Sequence, residues 1–305
     1  SMMQLEEDKK PVKLSHAKML EVTDADAEVQ ALLSDKIAVY YAEGDIVDEG
    51  KKGIVSGTVA KDLRKLREDD NVKAVVLRVN SGGGSAFGSE QMWYEIEQLK
   101  AVKPVVVSMG DYAASGGYYI SCNADYIYAE PTTLTGSIGI FGTVPNINKL
   151  REKVGLDIDG VSTNKHSALN VNAIYRGMNP QETALMQNMV ERGYDLFTRR
   201  CADGRGMSQD EIKKIGEGRV WLGKDAIEIG LVDCLGNIND AIAKAVELAE
   251  LGDYQLVSYP EKKDPFEEIL KMFDTTTPEE RLIMEIHEFA SKPRIMTLMP
   301  EVIIQ

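Results

Sequence analysis

Two apolar runs, Ala74–Val79 and Pro104–Met109, each end in a glycine-rich turn, and this repetition constrains the fold more than any other feature of the chain. Ala74-Val75-Val76-Leu77-Arg78-Val79 and Val105-Val106-Val107-Ser108-Met109 lack polar-apolar alternation, the pattern of strands buried on both faces. Such strands need helices above and below them. The intervening sequence supplies candidates: Val59, Leu63 and Leu66 at helical spacing within Thr58–Asp70, and a helix following Ser85 to about Leu99. Ile37–Tyr41 and Tyr126–Tyr128 read as further strands, so the alternation predicts an α/β fold with a parallel or mostly parallel sheet. Beyond residue 145 helices dominate. Asn179-Pro180 opens a long one with Leu185, Met189, Val190 and Leu196 as its expected buried positions, and Gly236–Leu251 is a second, amphipathic one.

Composition narrows the partners. The 305 residues carry 35 basic and 49 acidic side chains, a net charge of −14, which argues against binding to nucleic acid or to anionic lipid through basic clusters. Cys122, Cys201 and Cys234 are too few and too widely spaced for a disulfide framework and read as reduced, core-type thiols. With no CxxC and only His16, His166 and His287, no familiar zinc spacing occurs, and no cofactor is implied. No run approaches the about 18 apolar residues of a membrane helix, and no signal peptide is visible. Three regions are expected: a lead-in over 1–35, including a short helix over 24–33 and marking where a longer chain is cut; an α/β domain over 36–250; and a helical tail over 251–305.

In open α/β sheets, ligands gather at the carboxyl ends of strands, where the turns lead into helices. The first such turn, Asn80-Ser81-Gly82-Gly83-Gly84-Ser85, fits neither a GxGxxG dinucleotide turn nor a phosphate loop, because the last glycine of the one and the Gly-Lys of the other are missing. The second, Gly110-Asp111-Tyr112-Ala113-Ala114-Ser115-Gly116-Gly117, sets one hydroxyl among very small neighbours at a helix start. That gives a nucleophilic serine steric access and nearby amides, although Ala113 stands where the G-x-S-x-G elbow has glycine. A third segment, Leu134-Thr135-Gly136-Ser137-Ile138-Gly139-Ile140-Phe141-Gly142, is extended and open-backboned, suited either to accepting a peptide as an added strand or to serving as a bulged connecting strand.

In this order and spacing, the three segments resemble the S49 serine peptidase family, signal peptide peptidase A or protease IV, which has a Clp-protease/crotonase-like fold built from ββα-type units. Asp159–Thr163, Gly218-Arg219-Val220-Trp221 and Gly230-Leu231-Val232-Asp233 continue the likeness, which covers roughly residues 36–260. Gly82 replaces the family's usual proline, which loosens the turn without removing an amide donor. The resemblance implies that Ser115 is the nucleophile of a Ser-Lys dyad, that Gly83 and Gly116 give the oxyanion-hole amides, and that Ser137 hydrogen-bonds the lysine. A lysine with its ordinary pKa near 10.4 is protonated at neutral pH, so burial must lower that value before it can accept the serine proton. Lys165 is the candidate base within this chain, but it lies a few residues early; Ala168 and Leu169 occupy the matching positions. The motif details look more like the C-terminal half of the long, tandem-domain form, whose lysine lies in the N-terminal half. The resemblance further implies cleavage of remnant signal peptides, a homo-oligomer, and a bacterial envelope setting with inner-membrane attachment through a segment outside this sequence.

Three rival readings compete. His166 with Asp157, Asp159 or Asp195 would form a Ser-His-Asp arrangement, but a lone loop histidine is more often solvated. A crotonase-like acyl-thioester enzyme would share the fold, yet no basic cluster for its phosphates is visible. A catalytically silent assembly domain would use Phe266–Leu270 and Leu282–Met284 as interface helices.

Overall fold

The computed structural model describes residues 35–159, 163–166, 169–260 and 295–298. Strands β1 (Lys36–Glu43), β2 (Ile46–Val47) and β3 (Ile54–Val55) lead into helix α1 (Ser56–Glu68), followed by β4 (Val72–Ser81), β5 (Gly83–Ser85) and α2 (Ala86–Lys100). Next come β6 (Val105–Ala114), α3 (Gly116–Tyr119), β7 (Tyr126–Ala129), β8 (Leu134–Gly136) and β9 (Phe141–Gly142). Helices α4 (Asn148–Lys153), α5 (Leu169–Arg176), α6 (Pro180–Arg205) and α7 (Gln209–Ile215) precede β10 (Val220–Leu222) and α8 (Gly223–Ala226). Strand β11 (Cys234–Leu235), helix α9 (Ile238–Leu248), β12 (Gln255–Tyr259) and β13 (Ile295–Leu298) complete the described order.

The main sheet runs β10-β8-β6-β4-β1-β12, with β7 on β6 and β11 on β7. All its pairs are parallel except β8 with β10. Both faces are buried, as the continuous apolar runs predict. Ile37, Val39, Ala74, Val76 and Val106 pack with Ala241 and Ala245 of α9. The alternate residues Ala38, Tyr40, Val75 and Leu77 join Leu63 and Leu66 of α1 and Met92, Ile96 and Leu99 of α2 in the larger core on the other side. A smaller sheet, ordered β3-β2-β5-β13-β9, adjoins the turn that follows β4.

Two sequence expectations need correction. Gln255–Tyr259, assigned to a helical tail, forms a strand that pairs in parallel with β1, and Ile295–Leu298 is also a strand. The helix over 24–33 and the tail helices at 266–270 and 282–284 lie outside the described residues. Leu185 and Met189 of α6 are exposed rather than buried, because the apolar contacts of that helix are confined to its C-terminal half, at Phe197, Cys201 and Ala202. Cys122 and Cys201 are buried free thiols, and burial pushes the Cys201 thiol up.

Helix α6 starts as its sequence foretells. Asn179 caps it, Pro180 occupies the first turn, and Glu182 closes a capping box: Glu182 N–H donates to Asn179 Oδ1, and Asn179 N–H donates to Glu182 Oε2, both at 2.9 Å. Arg176 grips the same carboxylate with two bonds of 2.7 and 2.9 Å. The Arg176 guanidinium first, and then the Asn179 amide, hold the Glu182 carboxyl down to about 2 from an ordinary 4.5. A carboxylate that ionises more readily when folded stabilises fully above its unfolded pKa, and the gain drains away as pH falls towards the folded value. Acidification from pH 5 to pH 2.5 is therefore expected to lower the melting temperature more in the parent than in Glu182→Gln. Parallel melting curves across that window would show that this pair does not anchor α6.

Candidate active site

The site grows out of one irregularity in the central pair of strands. Strands β4 and β6 run in parallel register up to Val79 opposite Met109, and the next paired residues are Ser81 and Ala113, so β6 spends two extra residues there. Asn80 fills the gap. Its Oδ1 accepts the Tyr112 N–H at 3.3 Å, and a side chain on Gly110 would come within 2.9 Å of it. Arg78 braces the approach through bonds of 2.8 Å to Ser108 Oγ and 2.7 Å to the Met109 carbonyl. On the far edge, Thr133 and Thr135 donate to the carbonyls of Gly110 (2.8 Å) and Ala113 (2.7 Å). Those hydroxyls thus tie the second sequence segment to the third.

The re-aimed strand delivers Ser115 into a turn that only a few non-glycine residues adopt, with φ 54° and ψ −116°. Its N–H donates to the Gly136 carbonyl at 2.8 Å, and its carbonyl accepts from Tyr119 N–H at 2.8 Å, so both sides of the strained residue are held. Ser115 is 1% exposed, and its Oγ has no hydrogen-bond partner among the described residues. This strained strand-to-helix turn forms without the G-x-S-x-G signature, because buried Ala113 and Ala114 are small enough for its approach. Gly117 is required on the other side, since a Cβ there would lie 2.5 Å from the Ser81 carbonyl oxygen.

The other expected site residues sit as follows. Gly83, at φ 102°, begins β5 two residues beyond Ser81, and its N–H donates to Ser81 Oγ at 3.1 Å. Gly116 starts α3 directly after Ser115. Ser137 follows Gly136, whose carbonyl holds the Ser115 amide; it is buried, sits at φ 48°, and donates its N–H to the Arg219 carbonyl at 2.7 Å. Ser115, Gly116 and Ser137 are thus drawn together, and Gly83 adjoins them through the Ser81–Gly117 contact. Lys165 is exposed, and no bond links it to Ser115. His166 is likewise not bonded to the serine; it lies near Glu182, at the base of α6.

Beside Ser137 opens a cleft of about 670 Å³, walled by Gly139, Ile140, Phe141, Val190 and Tyr194. The sequence reading did not foresee it, because its walls come from three segments far apart in the chain, Glu217 and Gly218 completing it. Among the described residues no cluster could hold a metal ion, and no helix is long and apolar enough to cross a membrane.

Residues 97–252 match the model of peptidase family S49. The chain belongs to that family. It is 46% identical over 229 residues to Protease 4 of Salmonella typhi, covering 74% of this chain and 37% of the relative. It is 38% identical over 223 residues to the chloroplastic serine protease SPPA of Arabidopsis thaliana, covering 71% of this chain and 33% of the relative. The S49 chain therefore spans little more than a third of these relatives' length. A ClpP1 mutant from Listeria monocytogenes aligns with a TM-score of 0.45 at 16% identity, over 72% of this chain and 99% of that one.

The geometry of Ser115 has a consequence for stability. A non-glycine residue in such a conformation costs about 1–3 kcal/mol, and a buried hydroxyl without a partner costs about 1–3 kcal/mol more. Ser115→Ala should thus unfold at higher denaturant than the parent, and Ser115→Gly should be stabilised by at least about 1 kcal/mol. Chemical denaturation checks this; a lower midpoint for both variants would show that the turn is relaxed.

Proposed function

We propose that this S49 chain is the nucleophile-bearing part of a serine endopeptidase that cuts extended, apolar peptides, remnant signal peptides among them. The observation that carries the reading is the buried, unpartnered hydroxyl of Ser115 in a strained turn. Strained residues of this kind cluster at active sites, where the strain is part of the mechanism. In the proposed reaction Ser115 Oγ attacks the scissile carbonyl, a neutral lysine takes its proton, and the tetrahedral oxyanion is met by backbone amides of Gly83 and Gly116. Gly83 N–H, which here donates to Ser81 Oγ, turns its donor to the oxyanion. Breakdown yields an acyl-enzyme and a free amine, and water attack with the same base returns Ser115. The apolar cleft beside Ser137 takes a substrate side chain.

The lysine in this reading comes from outside the chain, as in the long, two-part members of the family. Two facts support this: Ser115 Oγ has no basic partner among the described residues, and these two relatives are about twice as long. The same reading places the intact protein in an oligomer at a bacterial membrane, attached through a segment elsewhere.

Mass spectrometry after incubation with a serine-directed fluorophosphonate tests the assignment. Slow single labelling is expected in the parent, lost in Ser115→Ala and unchanged in Lys165→Ala. Adding a lysine-bearing partner half should accelerate it roughly 100-fold or more, the usual contribution of a general base. Labelling that persists in Ser115→Ala would remove Ser115 as nucleophile. Loss in Lys165→Ala would put the base inside this chain.

A further inference from the structure

Helices α2 and α6 each present two side chains, three residues apart, to the short helix that follows Ser115, and the two pairs meet on one residue of it. From α2 come Glu90 and Trp93; from α6 come Phe197 and Arg200. Tyr119, the last residue of α3, lies between them. Its ring stacks on Phe197 with the centroids 4.3 Å apart, and its hydroxyl donates to Glu90 Oε2 at 2.6 Å. Arg200 closes the knot. It donates to Glu90 Oε1 at 2.5 Å and to Oε2 at 3.3 Å, while its guanidinium lies over the Trp93 ring, 3.7 Å from the centroid. Trp93 and Tyr119 are buried, whereas Glu90 and Arg200 are only partly so. An ion pair with that exposure adds little to stability on its own, so the main effect of this one is to fix the place of the Tyr119 hydroxyl.

The consequence for the site runs through one peptide unit. Tyr119 N–H donates to the Ser115 carbonyl at 2.8 Å, the bond that closes the turn. The carbonyl of Ser115 and the N–H of Gly116 belong to the same planar trans peptide and point in opposite directions, so whatever holds the one aims the other. Gly116 is the first residue of its helix, where an N–H has no intrahelical acceptor, and its amide is the donor assigned above to the oxyanion. Four residues of helix cannot hold that plane by themselves. The backbone of Tyr119 is held instead through its side chain, at the ring by Phe197 and at the hydroxyl by Glu90.

We propose that Glu90 and Arg200 are positioning residues of the oxyanion hole: through the Tyr119 hydroxyl they fix the Ser115–Gly116 peptide, and with it the direction in which the Gly116 amide points. The inference rests on the reading of Ser115 as nucleophile and of the Gly116 amide as oxyanion donor. Neither side chain bonds to the Ser115 hydroxyl, so both act on the reaction only through Tyr119. A misaimed donor is weakened but still present, so the loss should be smaller than the roughly 100-fold that follows removal of a donor.

The test uses the full chain and three variants. Tyr119→Phe removes the hydroxyl but keeps the stacked ring, Glu90→Ala removes its acceptor, and Glu90→Gln keeps an acceptor oxygen. Fluorophosphonate labelling of Ser115, followed by mass spectrometry at several reagent concentrations, separates the limiting rate from the half-saturating concentration. The phosphonyl oxygen stands in for the oxyanion. The limiting rate is expected to fall about tenfold in Tyr119→Phe and Glu90→Ala with half-saturation unchanged, and Glu90→Gln should recover most of the loss. A merely structural role would lower the denaturation midpoint and leave the rate of the folded protein as it was. Hydrogen exchange gives a second reading that needs no chemistry at the site: the Tyr119 N–H should exchange about tenfold faster in Tyr119→Phe and Glu90→Ala, with β4 and β6 unchanged as evidence that the domain is folded. A limiting rate in Tyr119→Phe within about twofold of the parent, no recovery in Glu90→Gln, or unaltered exchange at Tyr119 would each overturn the proposal. A parent that never labels at Ser115 would remove the peptidase reading, and exchange at Tyr119 would then decide alone whether the clamp holds that peptide.

Discussion

Everything at the site depends on the mismatch between β4 and β6. In a regular parallel pair the side chains of β6 would alternate between the two faces of the sheet, and the strand would not turn at Ser115. The two extra residues between Met109 and Ala113 break that regularity, and the break is sustained because its loose backbone groups are met: the Tyr112 amide by Asn80, and the Gly110 and Ala113 carbonyls by Thr133 and Thr135. Unmet, each buried group would cost about 1–3 kcal/mol. The side chains that stabilise the irregularity therefore decide where Ser115 stands. The same bend moves the outer neighbour of β6 from β7, paired at Val106–Ser108, to β8, paired at Tyr112–Ala114. The sheet thereby brings Gly136 and Ser137 to Ser115.

Hydrophobic burial then fixes this arrangement in space. Tyr118 and Tyr119, three and four residues after Ser115, are buried; the Tyr118 hydroxyl donates to the Leu231 carbonyl at 2.9 Å, and the Tyr119 ring stacks on Phe197 of α6 at 4.3 Å. Helix α3 is only four residues long and could not hold a strained turn by its own hydrogen bonds. Its aromatic side chains do so by committing it to the core. Burial also explains why the two tyrosines keep their protons: desolvation raises both hydroxyls, and for Tyr119 the hydrogen bond to Glu90 adds to the effect. They anchor the site and do not exchange protons with it.

The sheet and the turn that carries Ser115 were legible in the sequence for one reason. Strands buried on both faces write themselves as unbroken apolar runs, and a strand-to-helix turn with no room writes itself as Ala-Ala-Ser-Gly-Gly. What stayed hidden depends on partners distant in the chain. Leu185 and Met189 have the spacing of a buried stripe, but periodicity tells only that a face is apolar, not whether anything in the same chain covers it. Strand β12 was lost to the expectation of a helical tail, although Leu256 and Val257 follow a Gly252-Asp253 turn. Strand β13 is four residues between prolines at 293 and 300, too short for any periodicity to register. The engagement of the Gly83 amide by Ser81 was equally invisible, because a hydrogen bond over two residues depends on the conformation of the one glycine between them.

The two left-handed serines show how these levels combine. Ser115 and Ser137 both adopt positive φ, and one hydrogen bond, from Ser115 N–H to the Gly136 carbonyl, joins the turns in which they lie. Neither turn stands alone. Gly136 at φ 76° carries no side chain because Trp221 of β10 lies where one would project, while Ser137 is clamped to Arg219. Strand β10 thus holds β8, β8 holds the Ser115 amide, and the core holds α3, so relaxing either serine would require breaking pairings on both of its sides. Strain at one residue persists only when its surroundings over-determine it. Here the surroundings are a three-strand ladder and two buried tyrosines. The site is therefore preorganised in its backbone, and among the described residues the Ser115 hydroxyl is left without a partner in it.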